Sequence, residues 1–425
     1  MRYDSSSGVP RTLFDKLWDS HVVEQSSDGW YLMHVDRLLL HDLTAAHAFD
    51  QLEERSLLPA NPELVFATPD HAVSSRPGRT GDTSAVGRRL YAGLKAGARS
   101  AGVTVFDLGS GDQGIVNVIG PELGIALPGL SIACGDSHTC THGALGVLAI
   151  GIGSSEGVHA LATQTLRLQK PKKMRVVLSG RPEAGVSAKD IALHVVNTCG
   201  ISSGIGHAVE YAGVVVEEME IEERLTLCNM AIEMGARFGV VAPDDKTVAY
   251  VRGRVYAPQG EAFDQAVSAW NELRTDDDAT FDKEIMVDVT GVEPVITWGV
   301  NPEQSIPISG HLPRLEAFAD EAGRTAAQDA FAYMGLQPGD PIAGTPIDRV
   351  FIGSCNSGRL ADLHAAAAVV RGRTVAAGVS AWVVPGSERV KHEAELAGLD
   401  LVFKQAGFEW REPGCSLCAA SMETR

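Results

Sequence analysis

Three cysteines in the last third of the chain have the residue type and the setting to hold a metal cluster. Cys415 and Cys418 form a C-x-x-C pair, which by itself is typical of a redox pair, half of a zinc site or part of an iron–sulfur site. A zinc ribbon needs a second such pair about 15–20 residues away, and the sequence has none. Cys355 offers a third thiolate after the apolar run 349–354, which is typical of a buried strand and its following loop.

A site with three cysteines suits one kind of chemistry in particular. A [4Fe–4S] cube usually has four thiolate ligands, so three leave one iron open, and Lewis-acid catalysis requires an open coordination position. The alternative is that Cys355 is simply a small buried hydrophobic residue. The odd total of seven cysteines argues against a disulfide framework. We expect structural roles for the remaining four, Cys134, Cys140, Cys199 and Cys228.

Two other polar groups follow segments that resemble strands. Residues 64–67 predict a short strand that leads into Asp70 and His71. Residues 129–134 predict another, which leads into Asp136 and His138. Loops at the carboxyl ends of parallel strands are where α/β folds place their chemistry. Plainer interpretations stay open, because Asp70 could cap a turn and His138 could be an ordinary hydrogen-bonded loop histidine.

Composition excludes several classes of protein. The chain has 425 residues, of which 44% are hydrophobic, and a mean hydropathy of +0.01, so most of it has enough apolar surface to fold. Its net charge of −18 disfavours a nucleic-acid or anionic-membrane partner, although local arginines and histidines can still bind an acidic small molecule. No apolar run reaches about 18 residues, and the amino terminus lacks the plan of a signal peptide. We therefore expect a cytoplasmic location.

The elements that must position these residues alternate between strands and helices. Helical spacing covers 13–23, 45–57, 188–198, 225–235 and 360–370, and a further helical pattern ends at 166. Strands are predicted over 174–178, 285–289, 350–352 and 381–384. The basic, proline-containing segment 170–173 is a predicted boundary. The fold class is therefore α/β with mainly parallel sheets.

Several longer stretches resemble the aconitase superfamily, and within it the large subunits of the isopropylmalate isomerases. They lie in the same order along the chain and cover about 13–418, namely 127–139, 159–166, 227–236, 350–355, 383–387 and 406–411. The resemblance implies an aconitase-like α/β/α architecture of three domains, over 1–172, 173–290 and 291–425, around a central cleft with a [4Fe–4S] cluster. Cys355, Cys415 and Cys418 match its three ligand positions.

The resemblance also implies roles for the polar residues. Asp70 and His71 match a pair that supports proton delivery to the departing hydroxyl, and Asp136 and His138 match a second pair at the active site. In both, a carboxylate fixes the tautomer of the imidazole and stabilises its charged form. Glu233 completes the implied catalytic set, although we expect it to lack its usual histidine partner, because relatives have His where this chain has Asn117.

The implied substrate-binding residues are Ser137, Asn229, Asn356 and Arg359. Asn229 and Glu233 are four residues apart and would share one face of a helix. The first ligand loop departs from relatives, because Cys355 is followed by Asn356-Ser357-Gly358 instead of Thr-Asn-Ser. Relatives also continue beyond the second cysteine of the C-x-x-C pair with arginines that bind substrate carboxylates. We therefore expect that this chain alone does not isomerise its substrate efficiently.

The function implied is that of the large subunit of a hydro-lyase. It would remove water from a 2-hydroxy-dicarboxylate, such as 2- or 3-isopropylmalate or a related substituted malate, and add it back at the neighbouring carbon, a reaction of leucine biosynthesis. A separate small subunit would supply the swivelling domain. One alternative is a diverged paralogue for another malate homologue in a specialised pathway. A second is a truncated or non-catalytic subunit that keeps the fold as a scaffold.

Overall fold

A computed structural model describes residues 8–82 and 84–417 and confirms the alternation of strands and helices. Cys418 lies outside the described residues. The first region has these helices and strands in chain order: α1 (Leu13–His21), β1 (Val22–Gln25), β2 (Trp30–His34), β3 (Arg37–His41), α2 (Asp42–Glu54), β4 (Val65–Thr68), α3 (Ala85–Ala101), β5 (Thr104–Val105), α4 (Val116–Glu122), β6 (Ser131–Cys134), β7 (Leu148–Gly151), α5 (Ser154–Thr163) and β8 (Thr165–Gln169).

The first region is built on a parallel sheet of five strands in the order β5-β4-β3-β6-β7. The chain runs from β3 outward through β4 to β5, and then returns to the other side of β3 for β6 and β7. The strand order therefore reverses beside β3, and such a reversal opens a crevice at the carboxyl ends of the strands. A separate antiparallel sheet in this region has the order β1-β2-β8.

The second region contains a four-stranded parallel sheet in the order β11-β10-β9-β12. Its elements are β9 (Lys172–Ser179), α6 (Ala188–Cys199), β10 (His207–Ala212), α7 (Val214–Glu218), α8 (Ile221–Asn229), β11 (Phe238–Val240), α9 (Asp245–Val251), α10 (Glu261–Trp270) and β12 (Lys283–Asp288). Its hydrophobic side chains are continuous with those of the first region, since a single buried cluster extends from Leu13 to Val289.

The third region carries the short parallel sheet β15-β16-β17. Its elements are β13 (Val295–Thr297), β14 (Ser305–Pro307), α11 (Glu321–Met334), β15 (Arg349–Ile352), α12 (Ser354–Ser357), α13 (Leu360–Val370), β16 (Ser380–Val383), α14 (Glu388–Leu396), α15 (Leu399–Ala406) and β17 (Glu409–Trp410). This region has its own core. Two side chains of the first region pack into it, Ile115 immediately before α4 and Val118 within α4. The hairpin β13-β14 and α11 enclose a smaller core around Trp298 and Phe331.

Two of the predicted helices were wrong at their carboxyl ends. The helical pattern that was expected to reach residue 166 stops at Thr163, because Gln164 takes a left-handed conformation (φ 56°) and strand β8 follows. The pattern over 225–235 is broken as well: the α-helix ends at Asn229, and Met230–Met234 form a 3₁₀ turn that ends at Gly235 (φ 79°). Asn229 and Glu233 therefore do not share one face of a regular α-helix.

Candidate active site

Three parallel strands deliver polar side chains to one edge of the five-stranded sheet. β3 ends at His41 and leads directly into Asp42, β4 leads into Asp70 and His71, and β6 leads into Asp136. Since β4 and β6 flank β3 on either side, these loops meet at the reversal of strand order. All five side chains are buried. The fold thus explains why residues about 30 and 65 positions apart along the sequence come together.

Asp70 and His71 form a close, buried pair. Nδ1 of His71 lies 2.5 Å from Oδ1 of Asp70, and the other carboxylate oxygen accepts the backbone N–H of Val116 at 3.0 Å. The opposite ring nitrogen, Nε2, lies 3.6 Å from Oδ2 of Asp136. The imidazole of His71 is therefore placed between two carboxylates, which stabilise its protonated form.

The chain of acidic and basic groups continues from Asp136 into the second region. Oδ1 of Asp136 accepts the backbone N–H of His138 at 2.7 Å, and Nε2 of His138 lies 3.3 Å from Oε1 of Glu233. The usual histidine is absent at Asn117, as expected, but a different histidine, His138, contacts Glu233. The sequence concealed this contact because the two residues are 95 positions apart and lie in separate 3₁₀ turns, one in the first region and one in the second.

These contacts change the acidity of the two carboxyl groups. Burial acts to raise the pKa of Asp136, but the imidazoles of His71 and His41 and the backbone N–H of His138 outweigh it and hold that pKa below its ordinary value. The hydrogen bond from His138 lowers the pKa of Glu233, against a smaller effect of burial. Both groups are thus maintained as anions facing imidazoles, as acid–base chemistry requires.

Cys355 and Cys415 also follow parallel strands, but in the third region. β15 ends at Ile352 and leads into Cys355, and β17 ends at Trp410 shortly before Cys415. Both side chains are buried, and no disulfide joins two of the described cysteines. The preceding Ser354 (φ 74°) and the following Ser416 (φ 52°) have left-handed backbones. Such backbones are costly for residues other than glycine and are found at constrained functional loops.

The second region provides polar groups around Cys355. The side-chain amide of Asn229 donates to Sγ of Cys355 at 3.3 Å and to the hydroxyl of Thr141 at 2.8 Å. Its carbonyl oxygen accepts from the side-chain amide of Asn356 at 3.1 Å. Asn356, which departs from the pattern of relatives, therefore still supplies an amide that positions Asn229. Hydrogen bonds to a cysteine sulfur are typical of thiolate ligands of iron–sulfur clusters.

The first region contacts the third through the loop that carries Cys415. The backbone N–H of Cys415 donates to the carbonyl oxygen of Asp70 at 2.8 Å. The loop that carries the Asp70–His71 pair is thus attached directly to the loop that carries a predicted cluster ligand. Buried thiols, an amide aimed at sulfur and constrained loops fit a thiolate-bound cluster, with Cys418 outside the described residues.

Arg359 and Asn117 are buried with unsatisfied polar atoms. None of the three guanidinium nitrogens of Arg359 donates a hydrogen bond to an acceptor in the part of the chain that the structure describes. Asn117 is fully buried in α4, and neither its side-chain nitrogen nor its side-chain oxygen has a hydrogen-bond partner among the described residues. Ser137, by contrast, is exposed, and its hydroxyl lies 3.2 Å from Nδ1 of His138.

Sequence reasoning missed His41 and Asp42. Asp42 accepts the backbone N–H groups of His71 (3.1 Å) and Ala72 (2.7 Å), and the ring of His41 packs on the ring of His71 with centroids 4.5 Å apart. One donor atom from each of His41, Asp42, Asp70 and His71 lies within 4.8 Å of the others, as in a metal site. Hydrogen bonds already occupy the carboxylates, so this group needs no metal to explain it. The apolar run before His41 was the available signal.

Burial raises the pKa of Asp42, and the neighbouring Asp70 carboxylate adds to that effect. Two carboxyl groups this close in a buried site compete for the same positive neighbours. Asp42 therefore serves the site chiefly as a hydrogen-bond acceptor for the loop that carries His71.

No described helix is long and apolar enough to cross a bilayer.

Comparisons with known proteins point in one direction. Residues 15–425 match the model of the aconitase family (aconitate hydratase). The large subunit 1 of a 3-isopropylmalate dehydratase from Bradyrhizobium diazoefficiens is 55% identical over 411 residues, which are 97% of this chain and 86% of that protein. The 3-isopropylmalate dehydratase large subunit of Roseiflexus castenholzii is 47% identical over 415 residues, which are 96% of this chain and 88% of that protein.

A solved structure gives no comparable information. The histidinol dehydrogenase of Elizabethkingia anophelis is 10% identical over 68% of this chain and 64% of that chain, with a TM-score of 0.13. A score this low carries no argument about fold.

Proposed function

This chain belongs to the aconitase family, and from that membership we propose that it dehydrates and rehydrates 2- or 3-isopropylmalate, or a closely related substituted malate. The chain is a hydro-lyase subunit of that family, with leucine biosynthesis as its pathway. The observation that carries the proposal is the presence of two acid–base pairs, Asp70 with His71 and His138 with Glu233. Asp136 lies between them, facing Nε2 of His71 and accepting the backbone N–H of His138. Two such pairs suit a reaction in which protons and a hydroxyl are exchanged.

The cofactor of this family is a [4Fe–4S] cluster, and Cys355, Cys415 and Cys418 are the residues that would hold it. When bound, it supplies a Lewis-acidic iron for the hydroxyl and a carboxylate of the substrate. The described thiols are buried, and Asn229 donates to the sulfur of Cys355. These features support the assignment of the ligands.

We assign proton delivery to His71, with Asp70 as the group that stabilises its charged form. The departing hydroxyl needs a proton, and an imidazolium between Asp70 and Asp136 can hold one ready at Nε2. His138 and Glu233 form the second acid–base pair, and their contact at 3.3 Å supports a shared proton. Asp136 connects the two pairs through its two oxygens.

Ser137, Asn229 and Asn356 are proposed to orient the substrate, and Arg359 is proposed as the cation of the site. Ser137 is exposed beside His138, and the two asparagines are hydrogen-bonded to each other next to Cys355. Substrate oxygens need donors of this kind for orientation before the C–O bond breaks. These residues come from the first, second and third regions, so the substrate would bind where the three meet.

The organisation of the complete enzyme is also part of the proposal. The two relatives are named large subunits, so we propose that a small subunit completes this chain and that it supplies the swivelling domain. The division at residues 172 and 290 into three domains belongs to the same proposal. The separate cores of the first two regions and the third support at least the second of these boundaries.

A second candidate function is the same reaction on a different malate homologue. Asn117 favours it, because an amide cannot carry the proton that a histidine at this position carries in relatives. Both amide atoms of Asn117 lack partners among the described residues, so its role differs from that of a hydrogen-bonded structural asparagine. Such a change is expected to alter which substrates are turned over.

The test is to co-express the chain with a cognate small subunit, purify both anaerobically, reconstitute with iron and sulfide, and follow hydration of a 2-alkylmaleate by absorbance. We expect about four irons per polypeptide and turnover that is lost on iron chelation. A panel of substituted malates then separates isopropylmalate from its homologues. Absence of iron uptake, or iron uptake without hydration of any alkylmaleate, would contradict the proposed function.

A further inference from the structure

Three arginines are buried among the described residues, and one of them differs from the other two. Arg224 donates to Oδ2 of Asp244 at 2.6 Å, and Arg411 donates to Oε2 of Glu409 at 2.8 Å. Arg359, which is 4% exposed, donates no hydrogen bond from its guanidinium to any acceptor in the described chain. Its backbone N–H donates to Oδ2 of Asp362 at 2.9 Å, so the contact with Asp362 is made by the main chain of Arg359 and not by its guanidinium.

A guanidinium cannot avoid the cost of burial by losing its proton, because its pKa is too high. The effective penalty for burying an unpaired ion is several kcal/mol. Burial raises the pKa of the neighbouring Asp362 carboxyl and the charge of Arg359 opposes that effect, but no hydrogen bond joins the two side chains. Among the described residues the guanidinium is therefore buried without a hydrogen-bonded anion, and an anion from elsewhere would stabilise it.

The position of Arg359 indicates which anion this is. Arg359 lies four residues after Cys355, between α12 and α13. Cys355 and Arg359 are both buried, and they belong to the same short segment between β15 and α13. A substrate that leaves at each turnover would uncover the unpaired charge every time. A resident anion satisfies it permanently.

We propose that the Arg359 guanidinium is the counter-charge of the thiolate-bound iron–sulfur cluster. Three thiolates give such a cluster a net negative charge, and hydrogen bonds and charges near the sulfurs set both its retention and its reduction potential. This inference rests on the function proposed above. Arg359 acts through the cluster, so it is a positioning residue and not a catalytic one. The chemistry recognised is an anion, and a substrate carboxylate is the other possible source.

The experiment compares Arg359→Lys, Arg359→Gln and Arg359→Met with the wild-type complex. Arg371→Gln is the matched control, because it removes the same charge from the exposed far end of α13. Iron loss to a chelator, the midpoint potential from a titration followed by electron paramagnetic resonance, and KM are measured on each reconstituted complex. We expect Arg359→Gln to lose iron about 10–100-fold faster and to have a lower potential than wild type. The lysine variant keeps the charge but lacks the planar guanidinium, so its rate of iron loss should lie between those of wild type and Arg359→Gln.

Unfolding in urea provides a second readout that does not depend on activity. Without the cluster, the unpaired cation opposes folding, so Arg359→Met should be more stable than wild type in the chain stripped of iron and less stable in the reconstituted complex. A merely structural arginine would make the variant less stable in both states.

The inference is overturned if Arg359→Gln loses iron at the rate of Arg371→Gln. A raised KM with unchanged iron loss and potential would assign the guanidinium to a substrate carboxylate instead. Failure of the proposed function is distinguishable, because in that case the wild-type complex itself takes up no iron.

Discussion

The role of Asp70 can be tested by changing its charge while keeping its shape. In Asp70→Asn, one side-chain oxygen remains to accept a hydrogen bond from Nδ1 of His71 or from the backbone of Val116, but not from both. The negative charge that stabilises the His71 imidazolium disappears. The backbone carbonyl of Asp70, which holds the ligand loop through Cys415, is not altered.

The size of the effect follows from the geometry. Two charges about 4 Å apart at an effective dielectric constant of about 20 attract each other by about 4 kcal/mol. Asp70 and His71 are both buried, so solvent reduces this little. Since each 1.4 kcal/mol or so corresponds to a factor of ten in rate, we expect kcat to fall about a thousandfold, with KM changed much less.

A partly buried pair of the same type provides the control. Nε2 of His21 lies 2.7 Å from Oδ2 of Asp36, far from the ligand loops in the sequence, and Asp36 also accepts from Ser131. Asp36→Asn should lower stability by a few kcal/mol but leave kcat of the folded enzyme near wild type. Steady-state hydration of an alkylmaleate, normalised to iron content, measures both variants. If Asp70→Asn keeps kcat within about tenfold of Asp36→Asn, the assignment of Asp70 is wrong.

Three further variants test other parts of the molecule. Burial raises the pKa of Glu210 to about 7 from an ordinary 4.5, so its contribution to stability is complete below about pH 4.5 and is lost as pH rises through about 7. Glu210→Gln should therefore be more stable than wild type at pH 8 by on the order of 3 kcal/mol, as measured by urea unfolding at pH 5 and pH 8. An equal change of stability with pH in both proteins would contradict this. A Cβ on Gly143 would lie 1.8 Å from the carbonyl oxygen of Gly239, so Gly143→Ala should cost about 3 kcal/mol or more in the urea midpoint, whereas Gly185→Asn, at an open left-handed position, should cost little. Asn229→Asp replaces the amide that donates to Cys355 with a group that repels a thiolate. The iron content per polypeptide after reconstitution should therefore fall about tenfold or more. An iron content equal to that of wild type would remove Asn229 from the proposed surroundings of the cluster.

The sequence predicted the fold best where pattern and strand order reinforce each other. The runs before Asp70, Asp136 and Cys355 were recognised as strands, and in a parallel sheet the ends of such strands converge. The end of β3 was missed although Leu38, Leu39 and Leu40 precede His41 in the same manner. His41 and Asp42 were therefore absent from the predicted site.

Contacts between regions were beyond the reach of local pattern. His138 and Glu233 pair across 95 residues, and Asn229 reaches Cys355 across 126. Neither separation leaves a periodic signal, so the contact between His138 and Glu233 was not predicted. The unsatisfied guanidinium of Arg359 could not be predicted at all, because an arginine followed by a helix is ordinarily exposed or paired.

The boundary between the first two regions and the third has a consequence for how such an enzyme can diverge. One core joins the first two regions, and a second core fills the third. The contacts that matter chemically cross from one body to the other, at Asp70 with Cys415 and at Asn229 with Cys355. The acid–base residues lie in the first body and the described cluster cysteines lie in the second, so an exchange of the third region between paralogues succeeds only if both sides of these contacts are inherited together. Residues that hold the cofactor and residues that perform acid–base chemistry are therefore expected to be inherited together when genes recombine at this boundary.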